Sequence, residues 1–408
     1  MKYDVAIIGA GPAGIMAAIT AKQNGASVIL IEKNEAIGRK ILATGNGRCN
    51  ITNKFAKVEN YHGSSPEFIK NVLSAFDQHK TMKFFDDLGL ILKEEDRGRM
   101  FPRTNQAASV VDILAHELER LKVDIKLNAE VKKIEKNDGW EIVLADGSKI
   151  NSGKLILTTG GRAAHQFGSS GDGHFWMKNI GHKVEDIYAA LVPLETKETW
   201  VTDVQGLKVE AQASFFVDEK LVSQKSGDLI FTHFGLSGPA IMSQAGIIAP
   251  FVGNKTVQVK LDFIGEKSAK ELDEMIAKIF NSSGAKSTKN ALVGLVPAKL
   301  IPIILHESKI SDNKIAAEIS KIQREEIVKN LKSLTLNISK LRPLKEAQVT
   351  RGGISTDEIN SETLESKKIK GLYFAGEIMD VDGDSGGFNL QWAWSSGHLA
   401  GKSCTKWD

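Results

Sequence analysis

A thiol, an imidazole and a guanidinium sit in three glycine-rich stretches of this sequence. Cys49 lies in "TGNGRCNITN" (44–53), His233 in "FTHFGLSGP" (231–239) and Arg351 in "VTRGGI" (349–354). A thiol beside an arginine is a candidate nucleophile when its charge is stabilised; without that it is a packing residue or contacts a bound ring. His233 either binds substrate and moves a proton or serves as a packing and hydrogen-bonding residue. Arg351 either holds an anionic group or supports a cofactor. Asp380, Asp382 and Asp384 look like a fragment of a calcium loop. The glutamate required at the twelfth position of such a loop, counted from Asp380 as the first, is replaced by Gln391, so no metal is assigned.

Stronger chemistry is implied by glycine spacing. "YDVAIIGAGPAGIMAAITAKQNGASVILIEK" reads as strand, helix, strand, with Val5 to Ile8 and Val28 to Ile31 as buried parallel strands. Gly9 allows a tight turn, Gly11 lets backbone approach a pyrophosphate, and Gly14 lets helix and strand pack closely. Pro12 and Ala13 open the helix, whose free N–H groups face the phosphates. Asn24-Gly25 closes it. Glu32 ends the second strand, placed to accept from ribose hydroxyls. The ordered unit predicts dinucleotide binding.

Residues 129–161 predict an antiparallel meander turning at Asn137-Asp138-Gly139 and Asp146-Gly147-Ser148. It runs into a buried strand, Lys154 to Leu157, that ends in "TTGG". This arrangement resembles the FAD domain of the glutathione-reductase-like flavoproteins. The C-terminal "KGLYFAGEIMDVDGDSGGFNLQWAWSSGHLAGKS" is similar to the closing strand, loop and helix of that domain. The resemblance implies that Gly376 and Glu377 meet the ribityl chain. It also implies that Gly387, Phe388, Asn389 and Leu390 open a helix beneath the flavin's pyrimidine edge, where a helix N-terminus stabilises negative charge.

More narrowly, the chain resembles the HI0933-like flavoproteins, known also as BaiN or aminoacetone-oxidase-like FAD enzymes. The resemblance rests on "GAGPAG", "GRKILATGNGRCNITN", "GSSGDGH", "FTHFGLSGPAI", "VTRGGI" and "GLYFAGEIMDVDGDSGGFNLQWAWSSGHLAG", in order along the chain. It implies that the loop after Glu32 threads past the pyrophosphate toward the flavin. Lys33, Arg39, Lys40, Thr44, Gly45, Cys49 and Asn50 would then lie along the cofactor, with Val131, Thr159, Gly160 and Gly161 completing the contacts. Arg39, Lys40 or Arg48 offsets phosphate charge, or Arg48 anchors the loop on the fold. A non-covalent FAD is implied.

The expected fold is α/β: a Rossmann-type FAD domain with a β-meander, interrupted by an inserted small β-barrel or sheet and a helical part. The FAD domain takes residues 1–190 and 346–408. The insert takes 191–345, β-rich over 191–263 and helical over 266–345, and is expected to wall the substrate site. Ser237 lies in the N-cap region of a short helix with Pro239 in its first turn.

Composition excludes several classes. Hydrophobic residues make 42% and charged residues 25%, with a formal net charge of +3, too small to imply a polyanionic partner. In the helical segment 266–346, fifteen Lys/Arg against ten Asp/Glu are interspersed, as on solvated helix faces. Two cysteines make no disulfide framework and no CxxC. The start reads as a strand rather than a signal peptide, and no apolar run spans a bilayer. A cytoplasmic protein with no membrane or nucleic-acid partner follows.

Function is expected to be FAD-dependent oxidation–reduction of a small molecule. No second strand-GxGxxG-helix unit exists for a resident nicotinamide. The resemblance leaves two reactions: oxidation of a small amine or amino acid with oxygen as acceptor, which is preferred, or reduction of an enone or quinone by transient NAD(P)H. The competing class is an FAD-holding scaffold or RNA-associated protein.

Overall fold

The computed structural model describes residues 2–406. The chain forms two compact units, one running to Tyr188 and resuming at Leu344, the other being Ala189–Pro343.

The first unit is built on a central sheet whose middle strand is Lys2–Ile8. It pairs in parallel with Val28–Ile31 on one side and Lys149–Leu157 on the other. Val5, Ala6 and Ile7 are fully buried, as the continuous apolar run requires. Asp124–Lys126 extends the sheet beyond Val28–Ile31.

Strand Lys149–Leu157 changes partners along its length. Its first four residues pair antiparallel with Trp140–Val143, the start of the meander that continues to Val131–Lys136. Leu155 to Leu157 instead pair in parallel with Leu372–Phe374, a strand more than two hundred residues further on. The Trp140 indole donates to Gly371 O at 3.1 Å and pins the switch.

Helix Pro12–Gln23 follows the glycine loop and ends at an Asn24 cap with Gly25 at φ +88°. The final helix, Phe388–Ser403, crosses it closely. A Cβ on Gly397 would overlap the carbonyl oxygen of Ala13, and one on Gly401 would stand 2.5 Å from the carbonyl of Ala17. Small residues at both levels let the two helix backbones meet, so the first and last segments of the chain share one core.

The second unit contains a closed antiparallel barrel of six strands: Leu194–Thr196, Gly235–Ser237, Lys220–Thr232, Lys208–Val217, Val257–Asp262 and Leu334–Leu341. The sixth strand falls where the spacing had predicted helix. Helix Lys321–Ser333 stops at its last serine, and Leu334, Leu336 and Ile338 then alternate inward with polar Thr335, Asn337 and Ser339 between them. Period two is the strand signal, and the barrel closes on it through pairing with Leu194–Thr196. Helix Pro239–Ile248 is capped by Gly238, with Ser237 in the preceding strand rather than at the cap. Helices Ala269–Ser282 and Lys321–Ser333 carry capping boxes at Ser268 and Ser320 and are joined by a two-toothed Arg324–Asp273 pair. Among the described residues, no helix is long and apolar enough to cross a membrane.

Gly397→Ala should destabilise the first unit by about 1–3 kcal/mol, since backbone must shift to admit the methyl. Thermal unfolding would show a lowered midpoint, whereas Gly265→Ala, whose Cβ meets nothing within 4 Å, should leave it unchanged.

Candidate functional site

The glycine loop is fixed from beneath by a carboxylate. Ala10 N–H donates to Glu32 Oε2 at 2.8 Å, while Asn34 donates to Oε1 from its backbone at 2.9 Å and its side chain at 2.6 Å. Glu32 thereby holds the turn in shape and keeps lone pairs on Oε2 beyond the Ala10 bond. Gly9 adopts φ +104° with Thr158 packed on it, and a Cβ on Gly14 would overlap Gly9 O. Gly11 differs: a Cβ there meets nothing within 4 Å. Pro12 and Ala13 begin the helix as expected. Val131 is buried at the start of its meander strand. Two residues before it, Ala129 N–H donates to Glu32 O, tying the meander to the same corner.

The loop 38–53 is rigid for reasons internal to it. Arg48 pairs with Glu95 at 2.9 Å and stacks over Phe101 at 4.1 Å from the ring centre. Of its two expected roles, it takes that of anchor. Gly45 packs against Asn50 N and Phe101. Thr44 caps the short helix Arg39–Ala43 by donating to Ile41 O. Cys49 is fully buried at φ +61°, and burial pushes its thiol up to about 12. A thiol so protonated is a poor nucleophile, which corrects Cys49 as a catalytic candidate. Asn50 is also buried, and its Oδ1 has no hydrogen-bond partner in the chain.

The cations expected along the cofactor all have partners. Lys33 bonds Asp172 at 3.0 Å and Ser170 at 2.5 Å, Arg39 donates to Asn34, and Lys40 pairs with Glu377 at 2.5 Å. Glu377 Oε1 accepts from Thr350 N–H at 2.9 Å. The Thr350 hydroxyl accepts from Arg162 and Ala163 N–H, both at 2.8 Å, turning the chain just after Gly160 and Gly161. A Cβ on Gly161 would overlap Thr350 and Glu377. Thr159 Oγ1 is a second buried oxygen without a partner. Gly376 donates its N–H to Ser396 at 2.9 Å, fixing Glu377 beside the final helix.

At that helix's start, Gly387 has φ +101°, and its Cβ position lies 2.6 Å from Thr52 O and 3.0 Å from Asn50 Oδ1. The loop 38–53 and the helix N-terminus therefore meet. Asn389 clamps the preceding loop, accepting from Gly383 N–H at 2.8 Å and donating to Gly383 O at 2.7 Å. Phe388 and Leu390 are buried, and Tyr61 donates to Phe388 O at 3.1 Å.

Two further sequence candidates are His233 and Arg351. His233 is exposed on the turn between barrel strands Lys220–Thr232 and Gly235–Ser237, edge-on to Phe234. It belongs to the second unit, whereas the loops above all lie within the first. Arg351 is committed to Asp382 through two bonds of 2.8 and 3.0 Å, with both side chains largely buried. Thr350 and His174 escaped the sequence reading, although the "VTRGGI" and "GSSGDGH" motifs contained them. His174 is buried and bonded to Ile378 O at 3.0 Å, and burial pushes its imidazole below the usual histidine range. Among the described residues, no group of three or more His, Cys, Asp or Glu side chains is arranged to hold a metal.

The converging loops fit a flavin dinucleotide. A buried acceptor without a donor costs about 1–3 kcal/mol, and Asn50 Oδ1 and Thr159 Oγ1 both bear that cost. A flavin and its ribityl chain bring N–H and O–H donors. The glycine-loop helix presents its N-terminus at Gly11, where side-chain atoms are absent.

Comparison with known proteins agrees. A family model described as "HI0933-like protein Rossmann domain" matches residues 3–403. A 3-dehydro-bile acid delta(4,6)-reductase from Clostridium scindens is 36% identical over 98% of this chain and 99% of its own length. A ribosomal RNA dihydrouridine synthase from Escherichia coli is 31% identical over 97% of this chain and 96% of its own. Among solved structures, a 3-ketosteroid-delta4-(5alpha)-dehydrogenase from Rhodococcus jostii superposes with TM-score 0.53 at 16% identity, covering 100% of this chain and 97% of that one. That likeness concerns the fold alone.

Gly11→Val should purify folded but colourless, because its Cβ meets no protein atom within 4 Å while a branched side chain would fill the space a pyrophosphate needs. Absorbance at 450 nm per chain checks this, and a fully yellow variant would contradict it. Asn50→Ala should leave the thermal midpoint of the FAD-free protein unchanged or raised. FAD affinity should fall by about 1–3 kcal/mol, on the order of 5–150-fold, in a fluorescence titration.

Proposed function

Since this chain belongs to the HI0933-like family and is an FAD-dependent oxidoreductase, we propose that it reduces a carbon–carbon double bond conjugated to a carbonyl group. One observation carries this reading. Two relatives spanning almost the whole chain bear different names, and both names describe reduction of such a bond. A 3-oxo group conjugated to ring double bonds and the 5,6 bond of a uracil are electronically alike, each having an electron-poor β carbon. The oxidation of a small amine, preferred from the resemblance alone, has no counterpart among the relatives named above.

The glycine loop, with Glu32, would hold the adenine-nucleotide half through backbone N–H groups and a carboxylate able to accept from ribose. Asn50, Thr159, Glu377 and the N-terminus of the final helix would hold the flavin half. Bound there, FAD supplies a two-electron carrier able to deliver hydride to an electron-poor carbon. The helix N-terminus would favour negative charge on a ring bound beside it, and Lys40 pairs with Glu377, whose Oε1 accepts from Thr350 N–H. The link is taken as non-covalent, as the resemblance implies. NAD(P)H docks transiently as electron donor, and a cyclic conjugated ketone is the substrate class.

Anaerobic stopped-flow measurements test this. NADH or NADPH should bleach the flavin, small amines should not, and a cyclic conjugated ketone should restore the colour where its saturated analogue does not. Restoration by uridine-containing RNA but by no ketone would move the substrate to RNA. Bleaching by amines and not by nicotinamides would overturn the reductive direction.

A further inference from the structure

The final helix is fastened along one stripe, at Gln391, Ser395 and His398. Gln391 Nε2 and Ser395 Oγ both donate to Phe76 O, at 3.0 and 2.6 Å. Phe76 forms the corner between helices Pro66–Ala75 and Gln78–Asp87. Its ring stacks on the His398 imidazole, with centres 4.5 Å apart and planes at 23°. His398 Nδ1 also lies 3.3 Å from the hydroxyl of Thr20, on helix Pro12–Gln23. The same final helix holds the loop 38–53: the Thr52 hydroxyl donates to Gln391 Oε1, and the Trp394 indole donates to Ile51 O at 3.0 Å. Thr20, Gln391 and Ser395 are buried, whereas His398 is partly exposed and can exchange a proton with water.

The charges acting on this ring are those of two lysines. Lys402 follows one turn later on the same helix. Lys80 comes from helix Gln78–Asp87 and bends back to the end of the preceding helix, beside Phe76. Its Nζ donates to Ser74 O at 3.2 Å and Ala75 O at 3.0 Å. Asp77, the acid next to Phe76, is engaged as a helix cap and accepts from Lys80 N–H at 2.8 Å. Thr20 brings no charge. A neutral imidazole suits this seam. An imidazolium would keep the Thr20 hydroxyl and gain a weak attraction to the Phe76 face, but it would meet two ammonium groups where water is scarce. Burial first, then Lys402 and Lys80, lower His398 to about 4.

We propose that His398 is an acid-sensitive catch for the final helix. Neutral, it seats the helix on the Phe76 corner and on helix Pro12–Gln23. Protonated, it works against both contacts, and the loop 38–53 loses the support of Gln391 and Trp394. The unfolded chain takes up this proton near 6.5 and the folded chain only near 4. The catch therefore contributes its full stability above pH 6.5 and loses it as pH falls from 6.5 to 4. Loosening of the helix requires no cofactor, whereas loss of bound FAD rests on the cradle assigned above.

Urea unfolding of the FAD-free protein on either side of this window, followed by tryptophan fluorescence, tests the catch. His398→Gln is the variant that cannot gain the charge. On acidification, the unfolding constant of the wild type should rise on the order of 10²-fold more than that of His398→Gln. His79→Gln, at an exposed histidine of helix Gln78–Asp87, should follow the wild type. Lys402→Met removes one facing charge and should make the chain less acid-sensitive. Equal acid dependence in wild type and His398→Gln overturns the catch. Should His398→Gln fail to fold, undiminished acid sensitivity in Lys402→Met overturns it instead. In the FAD-loaded proteins, the wild type should release flavin at a higher pH than His398→Gln. If the FAD-free chains differ as expected while both loaded proteins release flavin alike, the catch stands and the placement of FAD against the final helix falls.

Discussion

The structure depends on the contact between the first and last helices of the chain. Ala13 and Ala17 present their carbonyls to Gly397 and Gly401 with no side chain between them. A helix crossing at this distance is possible only with such small residues. It carries the start of the final helix to the loop that follows the first nucleotide-binding unit. Leu372–Phe374 adds the same constraint in the sheet, because it pairs with the strand that also holds Lys2–Ile8. Each segment of the flavin cradle is local in sequence, but the cradle exists only through these two long-range contacts.

Charge within the cradle is mostly spoken for. Lys33, Lys40, Arg39, Arg48 and Arg351 all have partners in the chain, which leaves backbone N–H groups and the end of the glycine-loop helix to meet an anion. Among the buried atoms without partners, the cradle loops contribute two neutral oxygens, Asn50 Oδ1 and Thr159 Oγ1. A site with paired charges and unpaired neutral acceptors is suited to a large, largely uncharged ring attached to a diphosphate. Reactivity then comes from the cofactor and from few protein groups, consistent with the absence of any nucleophile–base pair in the sequence.

Much of this was legible in the residues. The glycine triplet, the apolar strands around it and the meander turns rest on local rules with a single physical solution. Arg48 and Cys49 were harder, because their roles are decided by Glu95, Phe101 and burial, none of which is encoded within the loop. The strand Leu334–Leu341 was hidden by the helix running straight into it, although its alternation of Leu334, Leu336 and Ile338 was present. Pairing of Arg351 with Asp382 was invisible for a different reason: thirty-one residues separate two side chains that only the tertiary fold brings together.

Hydrogen–deuterium exchange on the FAD-free and FAD-loaded protein tests most directly whether one flavin is held by both ends of the chain. Residues 9–14, 44–50, 159–161 and 376–390 should all gain protection together on loading, with one FAD bound per chain. Protection confined to the N-terminal segments, with 376–390 exchanging as before, would contradict a shared cradle.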